Sequence, residues 1–274
     1  ESGARRGDRG IQDMTGAGLR LTILGSGTST GVPVLGCSCV VCRSTETRNR
    51  RTRCSALLEW GGHKVLVDTA TDFRQQALRE GIDRVDAVLF THTHADHVHG
   101  IDDLRTFSLV SGEAIPVYAS AESLQAIQRV FAYIFTDESE PGYRPRLQLH
   151  TVEQPFELFG LQVVPVPLDH GTGSALGYRL GGLAYLTDCS AIPQGSWSLL
   201  EGVELLIIDA LRFRPHTSHL SVAQAIEVAR RIAPRRTLLT HLSHDVDSTR
   251  HAGQLPAGIE FAYDGQAIAL PLTV

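Results

Sequence analysis

Thr91-His92-Thr93-His94-Ala95-Asp96-His97 follows directly on the apolar run Val85 to Phe90. A run of that composition reads as a buried strand, so three imidazoles and a carboxylate are packed into six residues, His92 to His97, just beyond its end. Alternate residues of an extended chain point the same way. His92 and His94 can therefore face one metal ion while the chain turns and offers Asp96 and His97 to a second. A histidine-rich surface loop would leave both the spacing and the strand-end placement as coincidences.

Neither site is complete with these residues, because each ion needs ligands from elsewhere. Three further positions qualify. His170 closes the strand-like run Leu161 to Leu168, Asp188 follows Leu183 to Thr187, and His241 follows Thr237 to Thr240. Singly, each reads as an ordinary polar residue at a strand terminus. Together with the first cluster they make seven ligands at the ends of β-like runs, a number suited to two metals sharing a bridging carboxylate.

The His-x-His-x-Asp-His motif with later single His, Asp and His resembles the metallo-β-lactamase-fold hydrolases, from Leu19 to the C-terminus. The resemblance implies an α/β fold, an αββα four-layer sandwich. It also implies one metal held by His92, His94 and His170, the other by Asp96, His97 and His241, and Asp188 bridging. Asp68, which ends the strand Lys64 to Val67, matches the family's early aspartate, whose place is behind the ligands, orienting the histidine cluster.

A second cluster is Cys37-Ser38-Cys39-Val40-Val41-Cys42, with His244 three residues beyond His241. Three thiolates and one imidazole make a closed tetrahedral zinc site, too saturated for catalysis and therefore structural. The alternative is a disulfide or a set of unrelated thiols; the odd cysteine count and the clustering favour zinc. The order of these motifs, with Gly25-Ser26-Gly27-Thr28 and Leu168-Asp169-His170, resembles the PhnP-type phosphodiesterases. That resemblance implies a structural zinc, opening of a cyclic phosphodiester such as a ribose 1,2-cyclic phosphate, and attack by a metal-bridging hydroxide. Asp96 and His219 are the candidate catalytic residues. His219 matches by order the family's active-site histidine after the bridging aspartate, and its ordinary pKa near 6.5 suits a general acid. It also lies just before the expected helix Val222 to Ile232, where it would merely flank a helix that Ser221 caps equally well. His216 is the substitute.

Weaker signals lie around these. Gly25 to Gly31 offers either backbone N–H groups to a phosphate or a tight turn that positions the cysteine segment; it lacks a nucleotide-loop ending. Asp209 and Arg212 face either the pocket, with Arg212 pairing with phosphate, or the surface. Phe131 to Arg146, with Tyr133 as a substrate contact, either gates the site or forms a solvated loop with aromatic anchors. His63, His150 and His251 read as surface residues.

With 274 residues, 42% of them hydrophobic, the chain can bury a large core. Residues 19–274 read as one hydrolase domain and residues 1–18 as a flexible leader, without the apolar stretch of a secretory signal. No apolar run is long enough to span a membrane, and the setting expected is cytoplasmic. A net charge of −5, with Lys64 the only lysine, argues against a surface that coats nucleic acid. The expected partner is a small phosphorylated substrate, and a homodimer is compatible with the sequence. Short β-like runs alternate with helical patterns at Asp72 to Glu80 and Ala121 to Phe135, and the second half repeats the scheme.

Three other readings compete. A tRNase Z-like endonuclease uses similar ligands, but no insertion long enough for a tRNA-binding arm is present. The pyrroloquinoline quinone synthesis protein B pairs this fold with a cysteine-bound zinc, and that resemblance implies redox chemistry. A non-catalytic module would have lost ligands, and none is missing. Histidine with carboxylate suits zinc, manganese or iron at the paired site.

Overall fold

The computed structural model describes residues 18–136 and 142–272. Residues 1–17, expected as leader, lie outside these, as do residues 137–141 of the 131–146 segment. Gly18 is not leader: it opens strand β1 (Gly18–Gly25). The first half continues with β2 (Ser55–Trp60), β3 (His63–Val67), α1 (Phe73–Glu80), β4 (Ala87–Leu89), α2 (Ala95–Val98), α3 (Leu104–Ser111), β5 (Ile115–Ala119), α4 (Ala121–Val130) and β6 (Leu147–Thr151). The second half holds β7 (Phe156–Leu158), β8 (Leu161–His170), β9 (Gly173–Leu180), β10 (Leu183–Leu186), β11 (Leu205–Asp209), α5 (Val222–Ile232), β12 (Arg236–Thr240), α6 (Ser248–His251), β13 (Ile259–Phe261) and β14 (Ala267–Pro271).

The strands form two seven-stranded sheets, ordered β14-β1-β2-β3-β4-β5-β6 and β7-β8-β9-β10-β11-β12-β13. Written in these directions, each sheet has three antiparallel pairings followed by three parallel ones. The switch falls at β3 in one and at β10 in the other. The two halves thus share a fold without sharing a sequence repeat.

Strand periodicity explains the layers. Leu58, Val65 and Val67 meet Tyr178, Tyr185 and Ile207 in the core between the sheets. Their neighbours Leu57 and Leu66 point the other way, against Phe73 of α1 and, further along that layer, Leu104 and Leu124 of α3 and α4. Leu206 and Ile208 likewise face Val222, Ala225 and Ala229 of α5. Each fully buried branched side chain contributes about 1.5–3 kcal/mol, so strands buried on both faces hold helices on the outside. This is the expected αββα sandwich.

Some boundaries differ from the sequence reading. The helix expected over Ala121 to Phe135 stops at Val130: Phe131 has φ −109° and ψ 42°, and the chain continues as a 3-10 turn, Ala132–Phe135. Helix α5 occupies its expected span, with Ser221 and Gln224 forming a reciprocal capping box. Ser221 is therefore the cap, and His219 is free of that task.

Candidate metal centre

Parallel strands end along one edge of the sandwich, and the expected ligands sit there. Thr91 and His92 follow β4, His170 is the last residue of β8, Asp188 follows β10 and His241 follows β12. Five non-glycine residues among those described have positive φ, and three are site residues: Asp68 (60°), Asp188 (54°) and His241 (58°). The left-handed region costs such residues roughly 1–3 kcal/mol each. Here it turns each side chain back over the strand end it follows. Asp68 and Asp188 occupy matching places, after β3 and β10, where each sheet changes from antiparallel to parallel.

All seven expected ligands converge. One ligand atom each from His92, His94, His170 and Asp188 lies within 4.8 Å of the others, and the same holds for Asp96, His97 and His241. His170 Nε2 stands 3.2 Å from His94 Nδ1. Asp188 lies between the two groups: Oδ1 is 3.7 Å from His92 Nε2 and 3.4 Å from His241 Nε2, and Oδ2 is 3.1 Å from His97 Nε2. Asp96 Oδ2 approaches His97 Nε2 at 3.3 Å and His241 Nε2 at 3.6 Å.

The residues fit metal ions. His92, His97 and His241 are buried, and the Nε2 atom of each has no hydrogen-bond partner. A buried polar atom left unpaired is costly, and a cation at the focus of these atoms removes that cost. Burial pushes His92 well below the usual imidazole range, leaving it in the neutral form that binds metal. Burial alone would raise Asp188, but the imidazoles of His241, His97 and His92 more than offset it and hold the carboxylate ionised.

Behind the ligands stand two carboxylates. Asp68 Oδ2 lies 2.6 Å from His97 Nδ1, and its oxygens accept from Thr91 N and Oγ1 at 2.8 and 2.7 Å. This is the orienting contact expected of Asp68, which leaves His97 Nε2 for the cluster. Asp209 does the same for His219: Oδ2 lies 2.8 Å from His219 Nδ1 and accepts from Cys189 N at 3.0 Å. Asp209 is wholly buried, so the surface-pairing alternative does not hold for it. The His219 ring lies 4.7 Å from that of His241 and 4.9 Å from that of His170. His216 sits further out, exposed.

Cys37, Cys39, Cys42 and His244 form the second cluster, without a disulfide. The three sulfurs lie 3.3, 3.6 and 3.5 Å from His244 Nδ1. Tetrahedral zinc with Zn–S about 2.3 Å and Zn–N about 2.0 Å separates sulfur and nitrogen by about 3.5 Å, which these distances match. The backbone N–H of Cys42 donates to the Cys39 sulfur and, as the largest influence, lowers that thiol to about 7.

Buried Arg51 ties the His244 segment down, donating to the carbonyls of Ser243 (3.1 Å) and Val246 (2.8 Å) and to Ser248 Oγ (2.8 Å). Nothing in the arginine-rich stretch from Arg48 to Arg53 marked it for this role.

The glycine loop packs as a tight turn, with four of its N–H groups engaged within the protein: Ser26 donates to Asp264, Gly27 to Thr52 O, Thr28 to Leu242 O and Gly31 to Thr28 O. A Cβ at Gly25 would fall 1.9 Å from Arg53 O, so only glycine fits there. Neither expected substrate contact reaches the cavity beside the histidines. Tyr133 donates to Asp102 at 2.7 Å, and Arg212 donates to the carbonyls of Arg214 and Pro215. The four remaining histidines have aromatic partners: His63 stacks on Phe159, His150 on Tyr118, and His99 and His251 meet Phe131 and Phe213 edge-on.

Beside His92, His94 and His170 lies a cavity of about 890 Å3. Much of its lining is small and hydroxyl-bearing, including Ser120, Ser123, Thr172, Ser174, Thr217 and Ser218. Among the described residues, no helix is long and apolar enough to cross a membrane.

Comparison with known proteins agrees with this geometry. A beta-lactamase superfamily domain matches residues 63–242. The crystal structure of a new diphosphatase from the PhnP family superposes with a TM-score of 0.88 at 42% identity, covering 94% of this chain and 99% of that one. Zn2+-bound PqqB from Methylobacterium extorquens, at 21% identity, shares the fold with a TM-score of 0.75 over 91% of this chain and 99% of that one. The octanoyltransferase of Porphyromonas gingivalis is 42% identical over 252 residues, which cover 90% of this chain and 51% of that protein. The chain thus spans about half the length of that relative. On the domain match and the PhnP likeness, with the metal-type cluster at the strand ends, this chain belongs to the beta-lactamase superfamily and, among its metallo-β-lactamase-fold hydrolases, to the PhnP family.

Proposed function

We propose that this protein is a metal-dependent phosphodiesterase that opens a small cyclic phosphodiester, a ribose 1,2-cyclic phosphate, in the cytoplasm. His92, His94 and His170 would hold one divalent ion and Asp96, His97 and His241 the other, with Asp188 shared; Cys37, Cys39, Cys42 and His244 would hold a structural zinc. The bound pair would supply Lewis-acid charge for the phosphate oxygens and water acidified to near neutral pH. Imidazole and carboxylate donors suit zinc, manganese or iron.

The observation that carries this reading is the Asp209–His219 pair beside the ligand cluster. With Nδ1 engaged at 2.8 Å by Asp209, His219 keeps Nε2 for a mobile proton. A cleaved ester needs that proton on its departing sugar oxygen, and His219 delivers it as the P–O bond breaks. Asp209 fixes the orientation and tautomer of the ring. The hydroxyl-bearing cavity wall suits a sugar.

Leaving-group dependence tests the role of His219. His219→Ala should retain bound metal yet slow a diester with an alkyl leaving group roughly 10²–10⁴-fold, while slowing one with an activated aryl leaving group far less. Equal slowing of both rejects the proton donor.

A further inference from the structure

A neutral imidazole carries one ring proton, so a histidine that gives Nε2 to a metal keeps the proton on Nδ1 and needs an acceptor there. His97 finds Asp68 Oδ2 at 2.6 Å, and His170 finds the carbonyl of Ser218 at 2.7 Å. His92 has a less conventional partner. Its Nε2 atom points toward Asp188 without a hydrogen bond, and its Nδ1 atom lies 3.0 Å from Oγ1 of the preceding residue, Thr91. That hydroxyl donates its single proton to Asp68 Oδ2 at 2.7 Å, which leaves its lone pairs for the His92 ring. Thr91, His92, Asp68 and His97 are all buried, so solvent does not stand in for the hydroxyl. The main chain holds Thr91 from both sheets: its N–H donates to Asp68 Oδ1 at 2.8 Å, and its carbonyl accepts from Leu176 N of β9 at 2.8 Å.

We propose that Thr91 is a positioning residue for the metal centre: as acceptor from His92 and donor to Asp68, it brings one ligand of each ion under a single carboxylate. Asp68 orients His97 directly and His92 through the Thr91 hydroxyl. The proposal rests on the assignment of His92 and His97 to different ions. Loss of the hydroxyl leaves His92 Nδ1 a buried donor without an acceptor, while Asp68 keeps the Thr91 N–H and the His97 ring. The effect therefore falls on the ion held by His92, His94 and His170.

Zinc affinity makes the test independent of turnover. Chelator competition on the full chain, with its cysteine site already filled, yields the affinities of the two remaining zinc ions, and His94→Ala marks the one that belongs to His92, His94 and His170. Thr91→Val should weaken that ion about 10–100-fold, the range for loss of an orienting partner, and the other less than about three-fold. Thr91→Ser, which keeps the hydroxyl, should hold both. Unchanged affinities in Thr91→Val, equal weakening of both ions, or failure of Thr91→Ser to retain them overturns the proposal. Ring-nitrogen NMR of the zinc-loaded wild type needs no variant: it should find His92 protonated at Nδ1, with that proton slow to exchange with water. A His92 bound through Nδ1, or one whose Nδ1 proton exchanges freely, overturns the proposal as well. If His94→Ala removes no zinc, the ligand assignment falls and the role of Thr91 with it, whereas unchanged affinities in Thr91→Val sink the role of Thr91 alone.

Discussion

His241 and His244 stand three residues apart, yet each belongs to a different cluster of metal-type ligands. The Cys37/Cys39/Cys42/His244 cluster gathers four donors around one point, with sulfur-to-nitrogen distances that leave no open position. The His/Asp cluster spreads seven donors about two points, borders a cavity and is backed by Asp68 and Asp209. A closed, soft donor set holds a loop, whereas an open, harder one with oriented imidazoles suits chemistry. The short segment that joins them, anchored by Arg51, means that neither cluster is positioned independently of the other.

The largest effect should come from the residue shared between the two halves of the open cluster. Asp188→Ala should abolish turnover and lower metal content at that cluster while leaving the cysteine-bound zinc in place, as read by elemental analysis per chain. Unchanged metal content and rate would remove Asp188 from the ligand set. Cys39→Ser should show the opposite profile: zinc lost from the closed site and a melting temperature lowered by several degrees or more, with a smaller loss of rate. A variant equally stable and equally zinc-loaded would dissolve the distinction between the clusters.

Much of that distinction is legible in the sequence, because ligand spacing is local. The His-x-His-x-Asp-His run and the cysteine trio announce themselves by period and residue type, and the buried strands before them do so by hydrophobicity. Asp209 carries a weaker signal, since only the fold shows that it is buried and aimed at His219. Arg51 carries none, because an arginine reads alike in a core or on a surface. Strands β6, β7, β13 and β14 escape a reading by periodicity because they are short or at sheet edges, where half-exposed residues blur the alternation. Tyr133 and Arg212 looked suited to a substrate by residue type alone, and local partners hold both.

Smaller effects sharpen the comparison within the open cluster. Asp209→Asn should keep the metals and slow a diester with a poor leaving group about 10–100-fold, the range expected on loss of an orienting partner; a matching loss with an aryl leaving group would place Asp209 in general folding instead. Tyr133→Phe should change the rate less than about two-fold, since its hydroxyl is spent on an exposed Asp102 contact. A ten-fold rise in KM would return Tyr133 to the substrate.

The most direct measurement is phosphorus NMR of the metal-loaded protein with three compounds in one tube: ribose 1,2-cyclic phosphate 5-phosphate, a nucleoside 2′,3′-cyclic phosphate and a linear diester. Loss of the 1,2-cyclic signal ahead of the other two is the predicted result. Persistence of all three signals, with the catalytic cluster shown to be fully loaded, would contradict phosphodiester hydrolysis as the function of this protein.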